Sequence, residues 1–215
     1  MLIYSNGCSH TVGGKTWGIS YNRLLTTSLE DMMDHKTHLI SEANHGKSND
    51  AIFHDTLEFI NKYPPDLCVI QWSSPNRRVS QLVDGKEIWI NPWDFTQEGL
   101  KLEPMASKHT IHYIYALQEI LKKREIPYLF MCYFPLDKEF IEELNTFDRI
   151  DLDRFIKFDD NSHELFTGFL DKFKENKMNS DEQGHPNQKG YRFITTKLLE
   201  KLGYSIEDIS YVKMI

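Results

Sequence analysis

Short apolar runs alternate along the chain with segments in which apolar residues recur at a helical spacing. The apolar runs at residues 2–4, 39–40, 67–70 and 127–133 predict buried strands. Helices are predicted over residues 17–33, 49–61, 107–124, 138–144 and 163–173, and from Pro186 to about residue 202. Asn49 is the expected cap of the second helix. Strands that alternate with helices indicate an α/β fold, a three-layer α/β/α sandwich around a mostly parallel sheet.

The segment from residue 79 to residue 104 interrupts this alternation, because no helical or strand period continues through it. It carries Trp89 and Trp93, which are large rings for a solvated linker. The 215 residues are therefore predicted to form one domain, 1–215, with an ordered insertion at about 79–104.

Charge and cysteine content narrow the possible functions. The formal net charge is −7, and an acidic surface argues against a nucleic-acid partner. The three cysteines have no zinc-ligand spacing, and Cys68 and Cys132 lie in apolar runs that predict core positions. No run reaches the length of a membrane span, and no basic segment followed by an apolar one opens the chain, so a cytoplasmic location is expected.

Three polar motifs follow predicted strands or precede a helix. The first strand leads into Gly7-Cys8-Ser9-His10, the second ends at Asn44-His45-Gly46, and residues 181–187 lie at the start of the last predicted helix. Because ligand sites of parallel sheets form at the carboxyl ends of the strands, we expect these motifs to lie along one rim.

Ser9 and His185 are the candidates for nucleophile and base. A serine after a strand often caps a helix, but the nearby Gly7 also suits the crowded turn that presents a nucleophile. A serine hydroxyl needs an imidazole to take its proton, and His185 precedes the last predicted helix. Asp181 or Glu182 would orient that imidazole; the alternative is a solvated acidic loop.

These motifs together resemble the SGNH/GDSL hydrolase family. Gly7-Cys8-Ser9-His10 is similar to the family's Gly-Asp-Ser-Leu block, Gly46 to its second-block glycine, and the segment from Glu182 to His185 to its Asp-x-x-His block. The resemblance implies a flavodoxin-like topology and a serine esterase that acts through an acyl-enzyme without metal or cofactor. It also implies that the Gly46 N–H binds the oxyanion, and that the substrate is a carbohydrate acyl ester, such as an acetate, or another small ester.

The chain departs from the family pattern at three places. Cys8 and His10 replace the usual aspartate and leucine, and the third-block asparagine falls on Pro75 in an ungapped alignment. Ser73, Ser74 or Asn76 would then supply the missing oxyanion donor. The competing interpretation is a catalytically impaired binding or structural protein that keeps the fold.

The remaining features admit two interpretations each. Arg77 and Arg78 either clamp an anionic substrate group or form surface ion pairs. Trp89 is expected in the core and Trp93 at the substrate site. A nucleotide-binding alternative is disfavoured, because the Gly13-Gly14-Lys15-Thr16 run lacks the first glycine that a phosphate-binding loop requires at its fixed spacing.

Overall fold

The computed structural model describes residues 1–13, 18–75, 78–81, 87–90, 104–132, 147–158, 176–178 and 185–205. Its strands are β1 (Leu2–Asn6), β2 (His38–Ser41), β3 (Leu67–Trp72), β4 (Arg78–Gln81), β5 (Glu87–Ile90) and β6 (Tyr128–Cys132). Its α-helices are α1 (Ser9–Val12), α2 (Tyr21–Met33), α3 (Asn49–Lys62), α4 (Pro104–Lys123) and α5 (Gln188–Lys201). Two 3₁₀ turns occupy Phe147–Arg149 and Leu152–Arg154.

Four strands form one parallel sheet in the order β2-β1-β3-β6. Side chains alternate between its faces, so Ile3 and Val69 join one apolar core while Tyr4 and Ile70 join the other. Helices α2 and α5 pack on the first face, and α3 and α4 pack on the second. The predicted three-layer α/β/α sandwich with a parallel central sheet is therefore confirmed.

The same layering explains why three of the strands are apolar runs. β3 is buried along its whole length because it lies between β1 and β6 and is covered by helices on both faces. Cys68 and Cys132 are buried, as predicted, and burial raises the pKa of the Cys68 thiol to about 12. β2 lies at one edge of this sheet and is mostly exposed, which accounts for its weak apolar signal.

The predicted starts of the second helix and of the last helix differ from the structure. The last helix begins at Gln188 and not at Pro186, because the Asn187 side chain accepts the Gly190 N–H at 3.1 Å and forms the cap. Ser48 holds the cap position of α3, and Asn49 is the first helical residue, with its side chain bonded elsewhere.

Two stretches carry strand pairing that their sequence did not predict. β4 and β5 form an antiparallel pair within the expected insertion. Phe155 pairs in parallel with Phe130 of β6, and the Ile156 N–H donates to the Phe130 carbonyl at 2.8 Å. The predicted helices at 138–144 and 163–173 lie outside the described residues.

Candidate active site

The turn that carries Ser9 is fixed by a close approach at Gly7. A Cβ on Gly7 would lie 2.3 Å from the Thr11 hydroxyl oxygen, so a larger residue requires the turn to shift. Thr11 in turn donates to Gln71 Oε1 of β3 at 2.8 Å. The first turn of α1 is thereby fastened to the centre of the sheet, and Ser9 stands at its first position.

Ser9 and His185 meet at this turn, although 176 positions separate them in the sequence. The Ser9 hydroxyl oxygen lies 3.0 Å from His185 Nε2. Their exposed fractions are 6% and 5%, so little water surrounds the contact. If His185 carries its proton on Nδ1, Nε2 can accept the Ser9 hydroxyl proton. This is the geometry that a nucleophile and its general base require.

A second imidazole, that of His10, lies against the first. The rings of His10 and His185 are stacked with centroids 4.5 Å apart and planes inclined by 14°. His10 Nδ1 lies 3.5 Å from the Ser9 hydroxyl oxygen and 3.1 Å from Cys8 Sγ. His10 is therefore part of the site, at the position where the resemblance placed a leucine.

His185 is held in place by the start of α5. Two residues after it, Asn187 caps the helix, and the Asn187 N–H donates to the Met178 carbonyl at 2.8 Å. The Asn187 side-chain amide also donates to the Lys177 carbonyl at 3.1 Å. These bonds tie the segment before α5 to residues 176–178.

Gly46 lies in the loop that follows β2, at the same edge of the sheet as Ser9. Its φ of 73° is in the left-handed region that favours glycine. The Asn44 N–H donates to the Gly7 carbonyl at 3.1 Å, which bonds this loop directly to the Ser9 turn.

The segment after β3 is held by Asn49. The Asn49 side chain accepts the Ser73 N–H at 2.7 Å and donates to the Ser73 carbonyl at 3.1 Å. Its amide also donates to the Thr110 hydroxyl at 3.0 Å. Ser73 and Ser74 are buried at this rim, and Pro75 follows them.

The structure thus brings Ser9, His185, Gly46, Ser73 and Ser74 to the carboxyl edge of one sheet. The other candidates lie outside the described residues: Asn76, Arg77, Trp93, Asp181 and Glu182. For Arg78 and Trp89 the structure describes the strand backbone alone.

Sequence reasoning missed several residues that shape this site. His10 was noticed only as a departure from a family pattern, and Asn49 was interpreted as a helix cap. Gln71 gave a weak signal, because it is a polar residue between Ile70 and Trp72, at the end of an apolar run. Lys47 gave none, because it stands in a polar stretch of the sequence. A polar residue within an apolar run is buried only when its side chain is hydrogen-bonded.

The described residues also bear on metal binding and on insertion into a membrane. No group of three or more His, Cys, Asp or Glu side chains among them is arranged to hold a metal ion. None of the described helices combines the length and apolar character needed to cross a bilayer.

No protein-family model matches the sequence, and no curated protein matches it significantly. Solved structures do match the fold. The acetylxylan esterase Axe2 from Geobacillus stearothermophilus superposes with a TM-score of 0.59 at 11% identity, over 95% of this chain and 94% of that one. The psychrotrophic esterase EstA from Pseudoalteromonas sp. gives 0.55 at 14% identity, over 94% and 96%.

A third structure, the acetyl xylan esterase AlAXEase, gives a TM-score of 0.54 at 17% identity, over 93% of this chain and 98% of that one. The matches span nearly the whole chain, so this chain shares the α/β fold of these solved esterase structures. At these identities the likeness establishes the fold alone.

Proposed function

We propose that this protein is a carboxylic ester hydrolase that acts through a serine acyl-enzyme. The observation that carries the proposal is the 3.0 Å contact between the Ser9 hydroxyl oxygen and His185 Nε2 at the carboxyl edge of the parallel sheet. A buried serine hydroxyl beside an imidazole nitrogen is the minimal machinery for nucleophilic acyl transfer.

In the proposed reaction, the Ser9 oxygen attacks the ester carbonyl carbon while its proton passes to His185 Nε2. The tetrahedral intermediate then breaks its bond to the alcohol oxygen, which leaves with the proton from His185. The acyl group remains on Ser9. A water molecule then attacks the acyl carbon, with His185 acting first as base and then as acid, and the carboxylic acid leaves Ser9.

The intermediate places a negative charge on the former carbonyl oxygen. The N–H groups of Ser9 and Gly46 are the proposed donors, with a further donor from Ser73, Ser74 or Asn76. Each such donor lowers the barrier because it meets charge that develops only in the transition state. Asp181 or Glu182 is the proposed partner of the other His185 ring nitrogen.

The structural neighbours support the chemical class. Two of the Axe2 structures are described as catalytic mutants, in which a serine and an aspartate, respectively, are replaced by alanine. By analogy, we propose a small acyl group, such as acetyl, on a carbohydrate or another small ester as the substrate. Arg77 and Trp93 are proposed to contact the part of the substrate beyond the ester.

The competing function is a binding or structural protein that keeps the fold without turnover. One observation favours it: Pro75 stands where the ungapped family pattern has an oxyanion asparagine. A proline side chain donates no hydrogen bond, and the loss of one oxyanion donor costs about 10²- to 10³-fold in rate.

The deciding experiment measures hydrolysis of p-nitrophenyl acetate, butyrate and octanoate and of acetylated xylo-oligosaccharides by wild type and Ser9→Ala. We expect Ser9→Ala to lower kcat by at least about 10³-fold. A reactive phosphonate ester should label wild type at Ser9, detected by peptide mass, and leave Ser9→Ala unlabelled. A folded wild-type protein that neither hydrolyses these esters nor takes up the label would favour the binding protein.

A further inference from the structure

Lys47 follows Gly46 directly, and its side chain is only 4% exposed. A buried lysine is rare unless its ammonium group is paired. Here Nζ lies 2.8 Å from Asn6 Oδ1, 2.7 Å from the Glu42 carbonyl oxygen and 2.5 Å from Asp55 Oδ2. An ammonium group has three hydrogens to donate, so this set of acceptors matches its full capacity.

The three acceptors belong to three different parts of the fold. Asn6 is the last residue of β1, Glu42 directly follows β2, and Asp55 lies in α3. Lys47 therefore joins the carboxyl ends of β1 and β2 to α3, the helix into which the Gly46 loop leads. The Asp55 carboxylate, 44% exposed, offsets the buried positive charge from the helix side.

Asn6 passes this restraint to the nucleophile turn. Its Oδ1 accepts both the Lys47 ammonium at 2.8 Å and the Gly7 N–H at 2.8 Å. Its amide nitrogen lies within hydrogen-bond distance of the Tyr4 hydroxyl and of two groups on α3. One well-anchored oxygen is thus shared by the lysine after Gly46 and by the turn that precedes Ser9.

The main chain supplies a second link between the same two segments. The Asn44 N–H donates to the Gly7 carbonyl at 3.1 Å, and the Lys47 N–H donates to the Asn44 carbonyl at 3.4 Å, which closes the turn around Gly46. Gly46, with a backbone conformation that few other residues adopt, lies between the two links.

We propose that Lys47 is a positioning residue, which holds the Gly46 N–H at a fixed place relative to Ser9. The inference rests on the proposed function, because it takes the Gly46 N–H as an oxyanion donor. Such a donor is effective only when its position is set before charge develops, since it then needs no reorganisation during the reaction. Removing the ammonium leaves Asn6 Oδ1 and the Glu42 carbonyl without this donor and releases the loop.

The kinetic consequence follows from when the oxyanion exists. Because it forms in the transition state and not in the bound substrate, loosening its donor lowers kcat while KM stays nearly constant. If Lys47 served stability alone, its replacement by alanine would lower the melting temperature and leave the kcat of the folded protein unchanged.

The experiment compares Lys47→Ala with wild type on p-nitrophenyl acetate, with Lys62→Ala as the matched control. Lys62 lies on α3 along the same open groove of about 620 Å³, but its side chain is 59% exposed. We expect Lys47→Ala to lower kcat by roughly 10- to 100-fold with KM within about twofold of wild type. Lys62→Ala should behave as wild type.

Rescue separates positioning from general damage. The groove borders Lys47, so a small alkylammonium such as n-propylammonium can reach the space that Lys47→Ala leaves. We expect it to restore kcat in a saturable way, whereas n-propanol should not. An unchanged kcat in Lys47→Ala, or a loss that the ammonium does not restore, would overturn the inference.

A readout without turnover keeps this result separate from the proposed function. The ¹⁵N{¹H} nuclear Overhauser effect of the Gly46 amide should fall in Lys47→Ala and recover with n-propylammonium. If wild type hydrolyses no ester, the esterase proposal fails while this measurement still tests the restraint. A Gly46 amide that is equally ordered in both proteins would contradict it.

Discussion

At the scale of single residues, the Ser9 oxygen lies close to two imidazoles, 3.0 Å from His185 Nε2 and 3.5 Å from His10 Nδ1. The two rings are nearly parallel, so the face of His10 limits how far the His185 ring can turn. A general base is effective only when its nitrogen stays aimed at the proton that it receives. We therefore expect His10 to act on catalysis through the orientation of His185.

Two replacements of His10 test this expectation. His10→Phe keeps a flat ring in the stack, and His10→Ala removes it. We predict that His10→Ala lowers kcat by roughly 10- to 100-fold, because small displacements of a catalytic group are costly, and that His10→Phe loses much less. The measurement is kcat on p-nitrophenyl acetate, with near-ultraviolet circular dichroism as the control for folding. Equal losses in both variants would mean that the nitrogen contact, and not the stacking, is what matters.

The sequence was sufficient to pair Ser9 with His185, because Ser9 follows a predicted strand, His185 precedes the last predicted helix, and the order of the two motifs resembles a known pattern. The sequence was not sufficient to predict that the His10 ring stacks on His185, or that the Lys47 ammonium is hydrogen-bonded to Asn6. The order of residues does not indicate the orientation of a ring or the partners of a lysine ammonium group. Both depend on side chains that meet only after the sheet has formed.

At the scale of secondary-structure elements, the start of α5 determines where His185 stands. Asn187 caps the helix through the Gly190 N–H, and its own amide group reaches the Lys177 carbonyl. Because His185 is only two residues away, a frayed helix start would move the base as well as weaken the helix.

Asn187→Ala should therefore affect stability and turnover together. We predict a loss of about 1 kcal/mol in the free energy of unfolding, typical of a missing cap, and a lower kcat. Asn187→Asp is the matched control, since a carboxylate keeps the capping acceptor and suits a helix N-terminus. Urea denaturation and kcat on a small ester provide the two measurements. The prediction is wrong if Asn187→Ala unfolds like wild type.

The elements themselves were largely predictable, because buried parallel strands and amphipathic helices have distinct periods. β3 and β6 follow from uninterrupted apolar runs, and α3 ends within one residue of its predicted end. The pairing of Phe155 with Phe130 was not predictable, since its segment is rich in acidic residues and pairs at a single position. Cap positions were also wrong, because several neighbouring residues were suitable caps for the same helix.

At the scale of the whole molecule, the parallel sheet separates two apolar cores and places the polar residues at one rim. Tyr4 connects one of these cores with the polar rim. Its ring stacks on Phe59 with centroids 4.2 Å apart, while its hydroxyl donates to Glu42 at 2.7 Å. The class of fold followed from the alternation of strands and helices. The burial of polar residues beneath the rim could not be predicted, because the residue type alone does not distinguish a buried, hydrogen-bonded side chain from an exposed one.

Burial of titratable groups in these cores predicts how stability responds to alkaline pH. Burial raises the pKa of Cys68 from 9.0 to about 12, and it also raises the pKa of Cys132 and of the Tyr21 hydroxyl. Above pH 9 the unfolded chain loses thiol protons that the folded protein keeps, so the folded state binds more protons and the free energy of unfolding falls as pH rises.

We predict that the free energy of unfolding, measured by urea denaturation, is steady up to about pH 8 and falls above pH 9, with Cys68 and Cys132 each contributing up to about 1.4 kcal/mol per pH unit. The fall in the free energy of unfolding that comes from Cys68 should end near pH 12, where this thiol also ionises in the folded protein. The double variant Cys68→Ala/Cys132→Ala should be less stable at neutral pH, because it leaves cavities, but should show a shallower alkaline slope. Equal slopes in the variant and in wild type would show that the thiols do not keep their protons in the folded state.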